Sequence, residues 1–179
     1  MQSSSLTRGE IADFGRKGAS LAGPDDRATR ERLDAYSVLD TARETSFDRV
    51  VFMAAQMFRV PIAVVALRDG DRLWFKAQVG LALTEIPSAI AFCNAITQES
   101  VMVIEDATMD PRFAGNPLVT GAPHVRFYAG APLITPDGLR IGSLCVVDRS
   151  PKTMLARQVW QLTQLAQSVV ATLEARRPS

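Results

Sequence analysis

The sequence predicts an α+β domain in which helices flank a single antiparallel sheet of about five to six strands. One reason is a change of period. Apolar residues recur at helical spacing over 45–58, whereas the next run, "VPIAVVAL" at 60–67, is continuous and β-branched. A second reason is turn chemistry. "RDGDR" at 68–72 and "TPDG" at 135–138 each separate two apolar runs, and such short turns join antiparallel neighbours.

The helices that precede the sheet follow from capping signals and apolar spacing. Residues 1–26 are rich in Ser, Gly and charge, which predicts a flexible leader. Asp25 or Asp26 is placed to cap a first helix that ends near "VLDT". Thr45, with Asp48 three residues later, forms a capping-box signal for a second helix. The apolar stripe of that helix comprises Phe47, Val50, Val51, Ala54 and Phe58.

The strand predictions rest on alternation and on the absence of polar residues. The run at 60–67 predicts a strand that is buried on both faces. Its hairpin partner alternates, with Leu73, Phe75, Ala77 and Val79 on one face and Trp74, Lys76 and Gln78 on the other. A short helix around 89–98 and a strand at 101–106 follow.

The second half of the chain predicts an irregular segment, a hairpin and a long helix. "MDPRFAGNPLVTGAPH" at 109–124 is rich in Gly and Pro, which predicts a lid-like segment, and Asp110 before Pro111 is typical of a helix cap with a first-turn proline. Two strands flank the turn at 135–138. A helix is expected from about Pro151 to Arg176.

Composition excludes several classes of protein. The 179 residues carry 20 Lys plus Arg against 19 Asp plus Glu, so the basic surface of a nucleic-acid-binding protein is missing. No apolar run approaches the roughly 20 residues of a membrane helix, and the first residues lack the apolar core of a signal peptide. We therefore expect a cytoplasmic location and no association with a membrane. The two cysteines match no zinc or redox spacing. We expect buried, reduced thiols and no metal site, and no cofactor is indicated.

The predicted C-terminal helix carries apolar residues at heptad spacing. They are Leu155, Val159, Leu162, Ala166, Val169 and Leu173, spaced four and three alternately. This pattern predicts a seam that pairs with a second copy of the chain. The alternative is that the stripe packs on the sheet of its own domain.

Four segments together resemble one known family. "AFCNAI", "VIEDATMDPRFAGNPLVTG", "VRFYAGAPL" and "LRIGSLCVVD" are similar to the GAF sensor modules of bacterial histidine kinases and diguanylate cyclases. The resemblance covers about 28–150 and implies a GAF (PAS/profilin-like) fold at 27–150, followed by a dimerisation and signalling helix at 151–179. One departure is that Asn94, Ala95 and Ile96 follow Cys93, where close relatives often carry His or Tyr.

The resemblance also implies a function class and partners. GAF domains bind cyclic nucleotides, tetrapyrroles, iron centres, small metabolites or no known ligand, so the ligand is not specified. Terminal helices in the family pair across a homodimer and pass a signal to an output domain. We therefore expect a sensory module of a two-component system, which acts within a longer sensor or in trans on a histidine kinase, a cyclase or another signalling protein.

The resemblance places a ligand between one face of the sheet and a cap of short helices and loops. Strands lined by Ala, Gly and Ser leave room there, and a segment at 110–124 can close over it. The candidate pocket residues are Phe92, Cys93, Asp110, Arg112, Asn116, His124, Arg126, Ala129, Ala131 and Ser143. The alternatives are that the small residues only let a helix approach the sheet, that Asp110 caps, that Arg112 pairs with a carboxylate, and that Phe113 fills the core.

No catalytic residues are predicted. The free methionine sulfoxide reductases of this family carry a cysteine comparable to Cys93, but their catalytic cysteine lies in the segment where this chain has "NPLVTGAPHV". Paired carboxylates, a phosphate-binding glycine loop and a nucleophile elbow are also missing from the sequence. The expected function is a sensor without catalysis of its own. A purely structural dimerisation module with a filled pocket and a thiol enzyme are the alternatives.

Overall fold

The computed structural model describes residues 24–96 and 100–178, which form one six-stranded antiparallel sheet of order β3-β2-β1-β6-β5-β4. The strands are β1 (Ile62–Asp69), β2 (Arg72–Val79), β3 (Glu85–Pro87), β4 (Met102–Ile104), β5 (Phe127–Ile134) and β6 (Arg140–Asp148). The α-helices are α1 (Pro24–Tyr36), α2 (Thr45–Phe58), α3 (Pro117–Thr120) and α4 (Ala156–Glu174). Short 3₁₀ turns occupy Ser88–Ile90, Phe92–Ala95 and Ala107–Met109.

The two faces of the sheet bury different cores. On the first, the helix face, α1, α2 and α4 cover side chains such as Leu67, Leu133 and Leu144. On the second, the cap face, the 3₁₀ turns, α3 and the loops around them cover side chains such as Val64 and Tyr128. The predicted α+β class is confirmed. The short edge strand β3 was not predicted. The predicted helix around 89–98 is wrong, because the chain forms two short 3₁₀ turns at Ser88–Ile90 and Phe92–Ala95, and 97–99 lie outside the described residues.

A bulge in β2 places a lysine inside the protein. The register between β1 and β2 shifts between Val65, which pairs with Ala77, and Ala66, which pairs with Phe75, so Lys76 is the extra residue. Strict alternation along β2 is therefore wrong beyond Phe75, because Ala77 packs on the helix face with Trp74. The Lys76 side chain is fully covered on that face and lies over the rings of Phe47 and Trp74.

The buried ammonium of Lys76 belongs to a cluster that links the sheet to the end of α4. Lys76 Nζ donates to Thr41 Oγ1 at 2.7 Å, to the Ala42 carbonyl at 2.8 Å and to Glu44 Oε1 at 2.7 Å, so its three protons are all used. Arg176, just beyond α4, donates to both oxygens of Glu44 at 2.6 Å. We call Glu44, Lys76 and Arg176 the Glu44 cluster. The predicted capping box of Thr45 and Asp48 is wrong. Glu44 is the N-cap of α2, and its side chain makes no cap hydrogen bond.

The heptad pattern of α4 serves the protein's own core. Leu162, Ala166, Val169 and Leu173 are at most 2% exposed because they pack on the helix face, mainly against β5. The predicted intermolecular seam is therefore wrong for these four residues, and packing on the domain's own sheet, the alternative, is what the structure shows. Leu155 is 56% exposed and Val159 is half-buried. The helix begins at Ala156 rather than near Pro151.

Most of the predicted leader precedes the first helix of the described chain. Residues 1–23, most of the predicted leader, lie outside the described residues, and α1 already begins at Pro24. Within 24–96 and 100–178, none of the helices has the length and apolar character needed to cross a membrane.

Candidate functional site

An apolar cavity that is partly open to solvent lies between the cap face and the cap. Its volume is about 80 Å³. Strands β1, β2, β5 and β6 supply the floor and one wall. The rest of the lining comes from the loop after β2, strand β3, the segment of 3₁₀ turns that follows it, α3 and the loop between α3 and β5. The residues that line it are Ile62, Val64, Ala66, Leu73, Phe75, Leu81, Leu83, Ile86, Ala91, Phe92, Cys93, Leu118, Pro123, Val125, Tyr128, Cys145 and Val147.

The lack of bulk in β5 and β6 on this face is explained by the position of one ring. Gly130 faces the cap, and a Cβ added there would lie 2.5 Å from the hydroxyl of Tyr128 and 2.8 Å from Cδ1 of Ile96. The Tyr128 ring and Ile96 therefore occupy the space that a side chain at position 130 would take. Much of the room that the small residues create is filled by these groups, and the cavity is what remains beside them.

A small polar cluster lies within the apolar wall. Tyr128 Oη lies 3.1 Å from Cys145 Sγ, and Ser143 Oγ lies 3.2 Å from the same sulfur. All three residues are buried. Burial raises the pKa of the Tyr128 phenol well above its ordinary value. The hydroxyls and the thiol thus satisfy one another as neutral groups.

Both thiols are held in the protonated form. Burial is the main cause that raises the pKa of Cys93 to about 12, and burial also raises the pKa of Cys145. A thiolate is the reactive form of cysteine, so neither sulfur is activated as a nucleophile or metal ligand.

An aromatic stack fastens the cap to the sheet. Phe92 stacks on Phe113 with ring centroids 4.4 Å apart and an interplanar angle of 20°, and it lies 5.1 Å from the Tyr128 ring. Asn116 adds polar links: its amide donates to the Ile90 carbonyl at 3.0 Å, and its Oδ1 accepts from the Leu118 N–H at 2.9 Å. The Asn116–Pro117 pair is the cap and first-turn proline of α3, a role that the sequence suggested for Asp110 and Pro111.

The predicted polar residues of the segment 110–126 do not line the cavity. Asp110 accepts from the backbone N–H of Arg112 at 2.9 Å and pairs with its guanidinium at 2.8 Å, and the side chain of Arg112 is exposed. His124 is also exposed. Arg126 donates to the carbonyls of Val119 and Val125, both at 3.0 Å. These polar side chains stabilise the cap from outside. The alternative that Arg112 pairs with a carboxylate is the one that the structure shows.

Of the other predicted pocket residues, Phe92 and Cys93 line the cavity and the rest do not. Ala129 and Ala131 lie on the helix face, at most 1% exposed, so the prediction that they face the ligand is wrong. Their small size lets α4 lie against β5, which is the packing role considered above. Ser143 is on the cap face but does not line the cavity itself, and it lies behind the lining, in contact with Cys145.

Several lining residues were not singled out by the sequence, chiefly Ala66, Tyr128 and Cys145. The alternation of β5 contains the missing signal, because a strand that turns Ala129 to one face must turn Tyr128 and Gly130 to the other. The hairpin register then places Gly130 opposite Cys145.

Both cysteines are expected to react slowly with a thiol reagent in the native protein and rapidly in denaturant. Native labelling should gain little between pH 7 and 9, because the pKa of Cys93 is about 12. The raised pKa also makes the stability of the protein depend on pH. The contribution of Cys93 to the free energy of unfolding is fully present below the unfolded-state pKa, near 8.5, and is lost as the pH rises towards 12. Rapid native labelling of Cys93 at pH 7 would contradict the buried, protonated thiol.

The described residues contain no cluster of metal-ligating side chains. Across residues 24–96 and 100–178, no three or more His, Cys, Asp and Glu side chains come together in a group that could hold a metal ion.

Comparisons with known proteins agree on one family. A family model described as "GAF domain" matches residues 42–173. A cyclic di-GMP phosphodiesterase of Pseudomonas aeruginosa is 41% identical over 157 residues, which cover 86% of this chain. The matched region is 27% of that relative, so the chain spans about a quarter of its length.

Two solved structures show the same fold at low identity. The GAF domain of the phosphoenolpyruvate-protein phosphotransferase from Acinetobacter superposes with a TM-score of 0.63 at 18% identity, covering 86% of this chain and 95% of that one. The free methionine-R-sulfoxide reductase of Neisseria meningitidis, solved with its substrate, superposes with a TM-score of 0.57 at 20% identity. The match covers 89% of this chain and 96% of the reductase. The two solved structures share the fold, and the family model, which covers residues 42–173, shows that the chain belongs to the GAF domain family.

Proposed function

We propose that this domain is a sensory or regulatory module that binds a small molecule in the cavity under the cap and has no catalysis of its own. The observation that carries the proposal is an apolar cavity on the cap face, partly open to solvent, whose wall is held by one aromatic stack, so that occupancy and cap position are linked. The similarity to part of a cyclic di-GMP phosphodiesterase supports a regulatory role in a signalling protein.

The absence of catalysis is argued from the thiols. Cys93 and Cys145 are 7% exposed, and burial holds both in the unreactive protonated form. The segment 116–125 contains no cysteine, although that is where the methionine sulfoxide reductases of the family have their catalytic one. Purified protein should therefore not turn over free methionine sulfoxide.

Filling the cavity should block a ligand without unfolding the domain. Ala66 lies on the floor with 3% exposure, so Ala66→Leu directs new methyl groups into the space. We expect native mass spectrometry of freshly purified wild type to show a bound small molecule, and we expect the variant to lose it. A ligand that binds only the native state stabilises by about 2.7 kcal/mol at 100 times its Kd, so its thermal shift should also vanish.

The matched control is Ala28→Leu, the same change at an exposed position of α1. It should retain both the bound mass and the shift. A bound molecule that persists in Ala66→Leu would place the site elsewhere.

The second candidate function is a structural module whose pocket is filled by its own side chains. It is favoured by the cavity volume of about 80 Å³, well below the roughly 300–1,000 Å³ of typical ligand sites. Wild-type protein without a bound mass, and without a thermal shift from any small molecule, would support this function instead.

We further propose that the signal passes between two copies of the domain through the outer side of α4. The exposed residues Trp160, Gln164, Gln167 and Ala171 follow heptad spacing and carry no charge. Trp160 is 64% exposed, and the neighbouring helix α2 exposes Phe52 by 61%. In a two-fold dimer the same surface of both copies meets, and residues on the axis face their own copies, so an uncharged stripe avoids like-charge repulsion. The partner in trans, if the dimer acts alone, would be a histidine kinase, a cyclase or another signalling protein.

Trp160→Glu combined with Phe52→Glu is expected to give a folded monomer, because two like charges would face each other across the axis. Sedimentation of wild type and variant at tens of micromolar measures the change. Met109→Glu, an equivalent change at an 80% exposed residue of the cap, should remain dimeric. A wild-type protein that sediments as a monomer would contradict this interface.

A further inference from the structure

The chemistry of the cavity lining is unusually uniform. Every residue that lines it has an aliphatic, aromatic, thiol or phenol side chain, and no carboxylate, ammonium, guanidinium, imidazole or amide group is among them. Charged ligands, such as nucleotides and carboxylates, need fixed cations or N–H donors at their binding site, because an unpaired charge is very costly to bury.

The polar atoms that reach the wall are already used. Tyr128 Oη and Ser143 Oγ are both within hydrogen-bond distance of Cys145 Sγ, at 3.1 and 3.2 Å. Among the described residues, no buried side-chain nitrogen or oxygen lacks a hydrogen-bond partner. The oxygen atoms of this wall therefore already have partners, and only a neutral hydroxyl or thiol hydrogen is left to face a ligand.

The approach to the cavity is also apolar. Leu81, Leu83 and Pro123 line it and are half-buried, which places them between the interior and the solvent. A molecule that enters past these residues meets hydrocarbon from the surface to the floor.

From these features, and resting on the proposed function, we infer that the ligand is an uncharged, apolar molecule no larger than about one small ring. Dry apolar cavities of about 150 Å³ bind benzene or xenon, and the present cavity, at about 80 Å³, belongs at the small end of that class. Binding stabilises the contacts of Phe92 and Tyr128 that hold the cap, because the ligand fills the space beside both rings.

The test compares probes that differ in charge. Benzene and xenon are added to the wild-type protein, and benzoate at the same concentration serves as the charged analogue of benzene. Methyl resonances of Val64, Leu73 and Leu118 report the cavity directly. We expect benzene and xenon to shift these resonances and to raise the melting temperature in a concentration-dependent way, and benzoate to bind at least a hundredfold more weakly. Ala66→Leu should abolish both effects, and Ala28→Leu should preserve them.

The outcomes separate this inference from the proposed function. Benzoate binding as tightly as benzene, or a charged co-purifying molecule that Ala66→Leu removes, would overturn the ligand class and leave the sensory function standing. No response to any probe, with no co-purified mass, would overturn both. Benzene effects that persist in Ala66→Leu would also overturn the inference, since the probe would then bind elsewhere.

Discussion

Leu162→Glu is expected to unfold the domain and not only to separate two subunits. Leu162 is fully buried on the helix face, where α4 lies against the sheet. The substitution removes a core side chain, which alone costs about 2–5 kcal/mol, and it adds a carboxylate in a site without a cation. Because a domain of this size has a total stability of roughly 5–15 kcal/mol, little folded protein should remain. Far-ultraviolet circular dichroism and the loss of a cooperative thermal transition measure the result.

The control uses the same residue type at the start of the same helix. Leu155 is 56% exposed, so Leu155→Glu should change the free energy of unfolding by no more than about 0.5 kcal/mol. A well-folded, monomeric Leu162→Glu protein would restore the intermolecular seam that the heptad spacing suggested, and would refute the packing described above.

Glu44→Ala is expected to cost about 3–5 kcal/mol, towards the lower end because the carboxylate is a third exposed. The cost arises mainly from what is left behind. Lys76, with a fully covered side chain, would keep only the oxygens of Thr41 and Ala42 as partners. Arg176 would lose both of its 2.6 Å bonds and keep only the carbonyls of Tyr36 and Ser37. Chemical denaturation followed by tryptophan fluorescence measures the loss.

The double variant Lys76→Met with Glu44→Gln is the matched control. It removes the buried charge together with its partner, so it should be markedly more stable than Glu44→Ala. If the two proteins were equally unstable, the loss would come from packing and not from the uncompensated ammonium.

The same carboxylate gives an acid dependence. The hydrogen bond from Lys76, followed by the one from Arg176, holds the pKa of Glu44 below its ordinary value of 4.5. Since the folded-state pKa is lowered, the stabilisation is present above about 4.5 and is lost as the pH falls through the lowered value. Glu44→Gln should show a smaller loss of stability over that acid range.

The fold was predictable because it depends on periodicity. The change from helical spacing to a β-branched run between Phe58 and Val60 places the first strand after α2, and "TPDG" fixes the hairpin of β5 and β6. The bulge at Lys76 was not predictable, because a strand of alternating residues shows no sign of an extra one until its partner's register is known. The destination of the α4 stripe had the same limit, since a buried core face and a dimer seam have the same spacing.

The cavity lies in the predicted layer, between the sheet and the cap, but most of the residues predicted to line it do not. Polar side chains in a Gly- and Pro-rich segment are typical of ligand contacts, yet Asp110, Arg112 and Arg126 bond to their own segment and its neighbours. Conversely, Tyr128 and Cys145 have the appearance of ordinary core residues, and only the position of Gly130 beneath the ring shows how the space is shared. A cavity is defined by atoms that fail to fill a volume, and that property is not visible in a linear pattern.

The Glu44 cluster has an evolutionary consequence. One carboxylate serves two cations that belong to distant parts of the chain, so losing it strands both Lys76 and Arg176 at once. A lineage that replaces Glu44 must also replace the lysine of the β2 bulge, or lose the bulge itself, before the change is tolerated. Across related sequences these three positions should therefore vary as a set, with an apolar residue at 76 accompanying a neutral residue at 44, and with the basic residue after α4 free to change only in those same sequences.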